Sequence, residues 1–393
     1  MKTTRIIKFH IAALTLLSSI NPQLSTVFAQ GSLTPPGAPA PTMKTLAQIE
    51  PRTPIASAPY TISASGSYYL TTNLSVSTGD AITIATNGVT LDLGGFTISS
   101  TAASATGCGI LVNSGLRNLA ILNGFIMGGV TNNGSGVYSG PGFRHGISGD
   151  YGVNNIRVSG ISVSGCSMDG IRLYQPMINN CSAVESCSVK TVGSYGIVAT
   201  TVIASAAVDC GNDAILGMQV SDSSGDSSLG FGVQALNAQN CYGWTLTGNA
   251  GLRADYAQNC AGVSYSGSVG LYVVFTAQNC YGNCLNGLYG VYCVGTAQNC
   301  YGQSYGGASG LYAYQNALNC YGTTSSGTYG LYATTAQNCQ GYNSGSGTGL
   351  RAVDVAIGCS GFSASGTGLQ AYIANSCRVA GGTTNITFKY NMP

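Results

Sequence analysis

Charged side chains are scarce in this chain of 393 residues, which has 14 Lys and Arg, 12 Asp and Glu and a net charge of +2. They make up 7% of the residues, whereas a globular domain has about a quarter. No run of Lys or Arg follows residue 10, which argues against a nucleic-acid partner because such a partner requires a dense basic face. Disorder is excluded too, because 44% of the residues are hydrophobic and 24 are Tyr.

Histidine is nearly absent, and carboxylates are missing from most of the C-terminal half. Only His10 and His145 occur, so a Ser-His-Asp triad in the exported chain would have His145 as its single candidate base. From residue 230 onward the only carboxylates are Asp255 and Asp354. This scarcity argues against a catalytic site in the repeat region from residue 230 onward.

Long hydrophobic runs are limited to the N-terminus. Lys2, Arg5 and Lys8 precede an apolar stretch at residues 9–20, and small residues near Ala29 predict cleavage before Gln30. We interpret residues 1–29 as a signal peptide, with an uncleaved membrane anchor as the alternative. We expect no transmembrane segment in the mature chain and a secreted, periplasmic or cell-surface location, an oxidising setting for the 15 cysteines. Residues 30–54 are predicted to be a proline-rich linker and an N-terminal cap segment.

A repeat dominates the rest of the chain. The hexapeptide AQNCYG occurs at 238–243, 277–282 and 297–302, and a Gly-Leu-Tyr or related tripeptide recurs before it every 19 or 20 residues. Helical repeats need more than about 30 residues per unit. Short strands separated by Gly, Ser and Asn turns instead predict an all-β, single-stranded parallel β-helix over residues 55–393. Its C-terminal coils would have 19–20 residues and stack about 4.8 Å apart.

Cysteine and asparagine recur with the same period. The predicted cysteine column contains Cys166, Cys187, Cys210, Cys241, Cys260, Cys280, Cys300, Cys320, Cys339, Cys359 and Cys377. We interpret it as a stack of small buried side chains, with disulfides between coils as the alternative. Cys284 and Cys293 lie outside this spacing and are the better disulfide candidates. No CxxC pair or histidine partner indicates a metal site. The asparagines that precede the cysteines are predicted to hydrogen-bond each other at a bend.

The front half carries motifs that resemble a known family. The segments GVTLDLGGFTI, RNLAILNG, NNIRVSGISVSGC and DGIRL are similar to those of pectin-lyase-like right-handed parallel β-helix proteins, in particular their exported, uncharacterised bacterial members. The resemblance covers about residues 55–390. It implies a right-handed superhelix with three strands per coil and a capped N-terminal end. It also implies either a polysaccharide lyase, hydrolase or esterase, or a binding or structural body.

One column of the front half could carry catalysis. Alignment of the Gly-Ile pairs places His145, Asp169, Tyr195 and Asp213 in one column, with Arg172 beside it. The catalytic candidates are therefore Asp169, Asp213, His145 and Arg172. The two aspartates would lie two coils apart, about 9.6 Å at about 4.8 Å per coil, which is long for one calcium ion. The alternative is that each aspartate caps a turn.

Two tyrosine columns are predicted in the C-terminal half. Tyr272, Tyr292, Tyr312 and Tyr332 form the first, with Arg253 and Arg351 at its ends, and a second column holds Tyr281, Tyr301 and Tyr321. The first column is the candidate ligand-binding surface, because exposed rings can stack on sugars. The alternative is an aromatic ladder that stiffens the sheet.

The sequence as a whole favours a secreted β-helix with a structural, adhesive or glycan-contacting role and no catalytic site. The alternative is a polysaccharide lyase or glycoside hydrolase acting near Asp169 and Asp213. The expected partner is a polysaccharide or a cell-surface glycan. No cofactor is expected, and calcium would be needed only under the lyase alternative.

Overall fold

The computed structural model describes residues 51–149, 151–173 and 181–392, and the structural statements below concern these residues. The predicted signal peptide and most of the predicted linker and cap segment lie outside them. Strands already begin at Thr53 and Tyr60, and both strands pair in parallel with the next coil. Within the described ranges, no helix is long and apolar enough to cross a membrane.

The described chain is built from short strands. The N-terminal strands are β1 Thr53–Ile55, β2 Tyr60–Ile62, β3 Gly66–Leu70, β4 Leu74–Val76, β5 Ile82–Ile84, β6 Val89–Asp92, β7 Thr97–Ser100, β8 Cys108–Val112, β9 Arg117–Met127, β10 Thr131–Asn132, β11 Tyr138–Ser139, β12 His145–Gly149 and β13 Asn154–Cys166. The middle strands are β14 Ile171–Arg172, β15 Ser182–Glu185, β16 Ser188–Val192, β17 Ile197–Val198, β18 Thr201–Ile203, β19 Ala206–Cys210, β20 Ile215–Leu216, β21 Gln219–Ser221, β22 Ser224–Ser227, β23 Val233–Gln239, β24 Tyr242–Thr245, β25 Ala250–Gln258 and β26 Ala261–Ser264. The C-terminal strands are β27 Val269–Gln278, β28 Tyr281–Cys284, β29 Tyr289–Cys293, β30 Thr296–Gln298, β31 Tyr301–Ser304, β32 Ser309–Leu318, β33 Tyr321–Thr324, β34 Tyr329–Gln337, β35 Gln340–Asn343, β36 Thr348–Ile357, β37 Ser360–Asn375 and β38 Arg378–Tyr390.

Parallel pairing between successive coils builds a β-solenoid of about 16 coils, which confirms the predicted fold class. Three faces follow from the strand register. The amide face contains β18, β21, β30 and the C-terminal ends of β23, β25 and β27. The third face contains β22, β24, β26, β28, β31, β33 and β35. The ladder face contains β29 and the N-terminal halves of β25, β27, β32 and β34.

Side chains alternate between the interior and the surface, as the repeat predicts. In β32, Leu311 is fully buried while its neighbour Tyr312 is partly exposed. Leu311 pairs in register with Val291 and Leu331, so aliphatic side chains form a continuous file through the core. The front coils fill the same file with isoleucine and valine, for example Ile147 and Ile171, which pair with each other. The burial of these apolar files stabilises each coil against its neighbours.

The cysteine column is partly different from the predicted one. Cys187, Cys241, Cys260, Cys280, Cys300, Cys320, Cys339, Cys359 and Cys377 lie in one buried file, at the corner between the amide face and the third face. Ser205 and Ser223 occupy this file between Cys187 and Cys241. Cys166 and Cys210 do not belong to it, because they pair with Val192 in a second file that continues to Cys284.

The predicted disulfide candidates are wrong, since all 15 cysteines are free. Cys284 is buried on the third face, and its Sγ lies 3.5 Å from the carbonyl oxygen of Gly267. Cys293 is buried on the ladder face, in the file of Val273 and Ala313. The two cysteines therefore occupy different faces of the solenoid. All the cysteines of the predicted column are buried, in one file or the other, which confirms the interpretation of their thiols as small packed side chains.

The asparagine column is confirmed as a hydrogen-bonded ladder. Asn279 has a φ of 53°, in the left-handed region that asparagine tolerates and that this bend requires. Its side-chain amide donates to Oδ1 of Asn259 at 3.1 Å, and Asn299 donates to Asn279 at 3.0 Å. The same bond repeats from Asn259 to Asn240 and from Asn319 to Asn299. The ladder thus binds each corner to the next.

Candidate functional site

The predicted acidic column exists. Ile147, Ile171, Ile197 and Ile215 pair successively, so the residues two positions before them, His145, Asp169, Tyr195 and Asp213, share one position on successive coils. Asp169 and Asp213 are two coils apart, which corresponds to about 9.6 Å between equivalent backbone positions at about 4.8 Å per coil. The alignment of the Gly-Ile pairs therefore gives the correct register.

Asp169 is completely buried, and the surrounding groups use both of its oxygen atoms. Oδ2 lies 3.2 Å from Nδ1 of His145 and 3.2 Å from Nη1 of Arg172. Oδ1 accepts the backbone N–H of Tyr195 on the next coil at 3.2 Å. Burial acts to raise the pKa of Asp169, but the contacts with His145, Tyr195 and Arg172 outweigh it and hold that pKa below its ordinary value.

Asp213 has a different environment. It is 7% exposed, and its Oδ1 accepts the backbone N–H of Phe231 at 2.8 Å. When the Gln234 side-chain amide is turned to the orientation that satisfies both neighbours, its nitrogen donates to Oδ2 of Asp213 at 3.1 Å and its oxygen accepts from Nη1 of Arg253 at 3.2 Å. Burial raises the pKa of Asp213, and the Phe231 N–H and the Arg253 charge offset only part of this rise.

These contacts favour the turn-capping interpretation of the acidic column. Asp169 and Asp213 each hold a backbone N–H of the following coil, and Asp80 does the same for Cys108 at 2.8 Å. A polysaccharide outside the solenoid finds no exposed surface on Asp169 and very little on Asp213. Of the four predicted catalytic residues, the structure brings His145, Asp169 and Arg172 into contact, and Asp213 lies apart from them.

Replacement of Asp213 by asparagine tests this role through pH. An acid whose pKa is raised on folding makes folding less favourable as the pH rises through that pKa. We therefore expect Asp213→Asn to be as stable as the wild type at pH 7 or more stable, by up to about 1 kcal/mol. The difference should shrink as the pH falls below the folded-state pKa, because Asp213 is then protonated in the wild type. Urea unfolding at a series of pH values measures this difference in stability. A large loss of stability of Asp213→Asn at pH 7 would contradict the assignment of Asp213 as a turn cap with a raised pKa.

The ladder face carries the predicted tyrosine column with its rings stacked on each other. Ring centroids are 5.4 Å apart between Tyr272 and Tyr292, 5.2 Å between Tyr292 and Tyr312 and 4.4 Å between Tyr312 and Tyr332. The planes of each pair are within 8° of parallel. Burial, together with neighbouring Tyr332, raises the pKa of Tyr312 to about 12, so the hydroxyl of Tyr312 stays protonated at neutral pH.

Stacking leaves few ring faces free in this column. The guanidinium of Arg253 lies 5.9 Å from the Tyr272 ring centroid, and that of Arg351 lies 5.7 Å from the Tyr332 ring centroid. Both ends of the column are thus covered by cations, and the inner ring faces are covered by neighbouring rings. The geometry favours the stiffening ladder over a platform for sugar rings. The ladder presents mainly ring edges and hydroxyls to solvent.

The amide face contains a groove that the sequence reasoning missed. A cavity of about 470 Å³ spans five successive coils there. Its polar lining includes Gln219, Asn237, Gln239, Gln258 and Gln278, together with the ring of Tyr256. Tyr256 is 50% exposed, and its ring centroid lies 5.2 Å from that of Phe275, which is also 50% exposed. The sequence signal for this groove is the glutamine of the AQNC motif. In β23, β25 and β27 this glutamine follows a buried alanine and lies on the surface.

A second polar cluster holds the β10–β11 hairpin against the solenoid. The hydroxyl of Tyr138 donates to Oδ1 of Asp209 at 2.8 Å, and the amide of Asn132 donates to the same atom at 2.6 Å. Burial, with a smaller contribution from Asp209, raises the pKa of Tyr138. These contacts give Asp209 an anchoring role. Their partners are far apart in the sequence, so no motif could indicate them.

Comparisons with known proteins assign no family to this chain. No protein-family description and no curated protein matches this chain. Among solved structures, it is similar to the A-module of the mannuronan C-5 epimerase AlgE4 of Azotobacter vinelandii, with 11% sequence identity and a TM-score of 0.30. The match covers 83% of this chain and 88% of that chain. The parallel β-helix expected from the pectin-lyase-like resemblance is confirmed by the strand register itself.

Proposed function

We propose that this protein is a secreted or cell-surface β-helix that binds polysaccharide in the groove of the amide face and does not cleave it. The export features of the N-terminus support the location. The groove supports the binding, and it replaces the tyrosine column as the proposed contact surface. The proposed contact needs no metal or other cofactor.

The observation that carries this proposal is the combination of side-chain amides and a half-exposed aromatic ring in one long groove. Each amide offers both donors and an acceptor, which matches the hydroxyl groups of a sugar. The Tyr256 ring offers an apolar face with a polar edge, and the apolar side of a sugar ring can pack on it. A concave site that combines an apolar surface with a few placed polar groups is the usual form of a ligand site.

The lining of the groove supports binding without cleavage. Glycoside hydrolysis ordinarily uses two carboxyl groups that flank the scissile bond. The described residues that line the groove include no Asp, Glu or His. Asp169 and Asp213, the sites of the enzyme alternative, are buried at the edge of the ladder face. We therefore expect no new chain ends after incubation with any polysaccharide, and reproducible release of chain ends would support the enzyme alternative.

The binding proposal is tested with single alanine substitutions in the groove. We expect Tyr256→Ala and Gln258→Ala each to weaken polysaccharide retention about tenfold, a loss of roughly 1.4 kcal/mol. Affinity electrophoresis through gels that contain each of a panel of polysaccharides measures the effect.

Two controls match these variants. Tyr265 is 46% exposed in the turn after β26, and Gln340 is exposed on the third face. Tyr265→Ala and Gln340→Ala should retain the polymer like the wild type. If Tyr312→Ala abolished retention while the groove variants did not, the ladder face would be the binding surface and the groove assignment would be wrong.

A further inference from the structure

The groove is uncharged, and this property selects a class of ligand. Its described lining contains only amide, hydroxyl, aliphatic and aromatic side chains. The next coil continues both outward files with Thr296 and Gln298, which are also uncharged. A polymer that runs through this groove would therefore meet no cation along its path.

The nearest charges on the N-terminal side cancel each other. Arg157 and Glu185 belong to the two outward files that continue into the groove at Thr201 and Ile203. Nη2 of Arg157 lies 2.6 Å from Oε2 of Glu185, and Nε of Arg157 also donates to that oxygen at 3.1 Å. This guanidinium is already satisfied by a carboxylate. An anionic ligand would have to displace Glu185 to use it.

The charges beside the groove are acidic. Asp222 follows Ser221, and its Oδ1 accepts the side-chain amide of Asn240 at 2.8 Å. Asp255 directly precedes Tyr256. Two carboxylates beside an otherwise neutral groove would repel a polymer of uronate units, which carries one negative charge per sugar.

The repeat of the groove also indicates how a polymer would lie. Gln239, Gln258 and Gln278 pair in register, so equivalent amides recur about every 4.8 Å along the solenoid axis. The five coils of the groove span roughly 19 Å from first to last at this spacing. A sugar ring in an extended chain advances by about one such step, so a chain parallel to the axis can repeat the same contact on each coil.

Resting on the proposed function, we propose that the ligand is an uncharged polysaccharide in an extended conformation, lying parallel to the solenoid axis with about one sugar ring per coil. Each added ring then places its hydroxyls against another amide. The affinity should rise with chain length and become constant at about five rings, where the groove is filled.

Calorimetric titration of the full-length protein with neutral oligosaccharides and with uronate oligosaccharides of matched length tests this inference. We expect at least tenfold tighter binding of the neutral series, a rise in affinity up to about five rings, and little change between low and high salt. Tight, salt-sensitive binding of the uronate series that Tyr256→Ala abolishes would overturn the ligand class while leaving the groove as the binding site. Affinity that does not depend on chain length would overturn the axial arrangement.

A charge introduced into the groove gives an independent test. Gln258→Arg places a cation between Gln239 and Gln278, so it should create uronate binding that high salt removes. Gln340→Arg, on the third face, is the matched control and should gain no such binding. If both arginine variants gained uronate binding equally, the effect would be non-specific and the inference would fail. If the wild type bound neither polymer class, the proposed function itself would fail.

Discussion

Gly310→Ala is expected to destabilise the protein by about 3 kcal/mol, because one added methyl group cannot fit between strand β32 of the ladder face and strand β33 of the third face. A Cβ atom at Gly310 would lie 2.2 Å from the carbonyl oxygen of Thr323 and 2.4 Å from its backbone nitrogen. Both are backbone atoms that no side-chain rotation can move. The two faces would therefore have to separate locally, at the cost of the packing between them. Urea unfolding, followed by the circular dichroism of the sheet, measures the loss.

The matched control lies four residues away. A Cβ atom at Gly306 would meet no other heavy atom within 4 Å. We expect Gly306→Ala to change the free energy of unfolding by less than about 0.5 kcal/mol. Equal effects of the two substitutions would mean that the glycine column does not set the distance between the ladder face and the third face.

Asp169→Asn is expected to cost about 3 kcal/mol at neutral pH, because it leaves His145 and Arg172 without their buried carboxylate. The asparagine oxygen can still accept the N–H of Tyr195, so the loss reports the contacts of the carboxylate with His145 and Arg172. The folded state holds the pKa of Asp169 below its ordinary value of 3.8. The stabilisation is therefore fully present above that ordinary value and is lost as the pH falls through the folded-state pKa.

A pH series of unfolding experiments checks the sign of this effect. The difference between the wild type and Asp169→Asn should be largest near pH 7. It should begin to shrink below about pH 4, where the Asp169 carboxylate first takes up a proton in the unfolded chain, and should vanish below the lower folded-state pKa. Asp222→Asn is the control, since Asp222 is exposed and its Oδ1 accepts only the amide of Asn240. If Asp169→Asn were as stable as the wild type, Asp169 would have no structural role and would again be a catalytic candidate.

The sequence predicts most of the fold because equal residues recur at nearly equal intervals. Once one coil is placed, Leu311, Tyr312 and Asn319 fix the position of their counterparts in every neighbouring coil. The Gly-Ile pairs extend this alignment into the front half and place His145, Asp169 and Asp213 correctly. Regular spacing is therefore sufficient to predict which residues stack on each other, provided that the coils have nearly equal lengths.

The sequence is less informative where coil lengths vary. Cys210 follows Cys187 at an interval close to one coil, yet the residue stacked on Cys187 is Ser205, 18 residues away. Spacing alone cannot tell which corner of a coil a cysteine occupies. The prediction from spacing therefore places Cys166 and Cys210 in the wrong file. The contact between Tyr138 and Asp209 spans 71 residues and depends on a hairpin inserted between coils.

Properties of the surface depend on features that a repeat does not encode. The tyrosine period predicts the ladder, but the closeness of the rings, 4.4 Å between Tyr312 and Tyr332, shows that their faces are not free. The glutamine period likewise gives a row of amides, but it does not indicate that this row lines a groove of about 470 Å³. The structure therefore leads us to propose the amide face, and not the ladder face, as the binding surface.

The most direct test of the binding surface is hydroxyl-radical footprinting of the protein with and without a neutral oligosaccharide of about five rings. We expect the oligosaccharide to lower the oxidation of Tyr256 several-fold, because Tyr256 is half exposed and lines the groove, and to lower that of Phe275, whose ring contacts Tyr256. The oxidation of Tyr265 and Tyr305 should not change. Protection of Tyr292 and Tyr312 with none at Tyr256 would place the ligand on the ladder face and contradict the proposed groove.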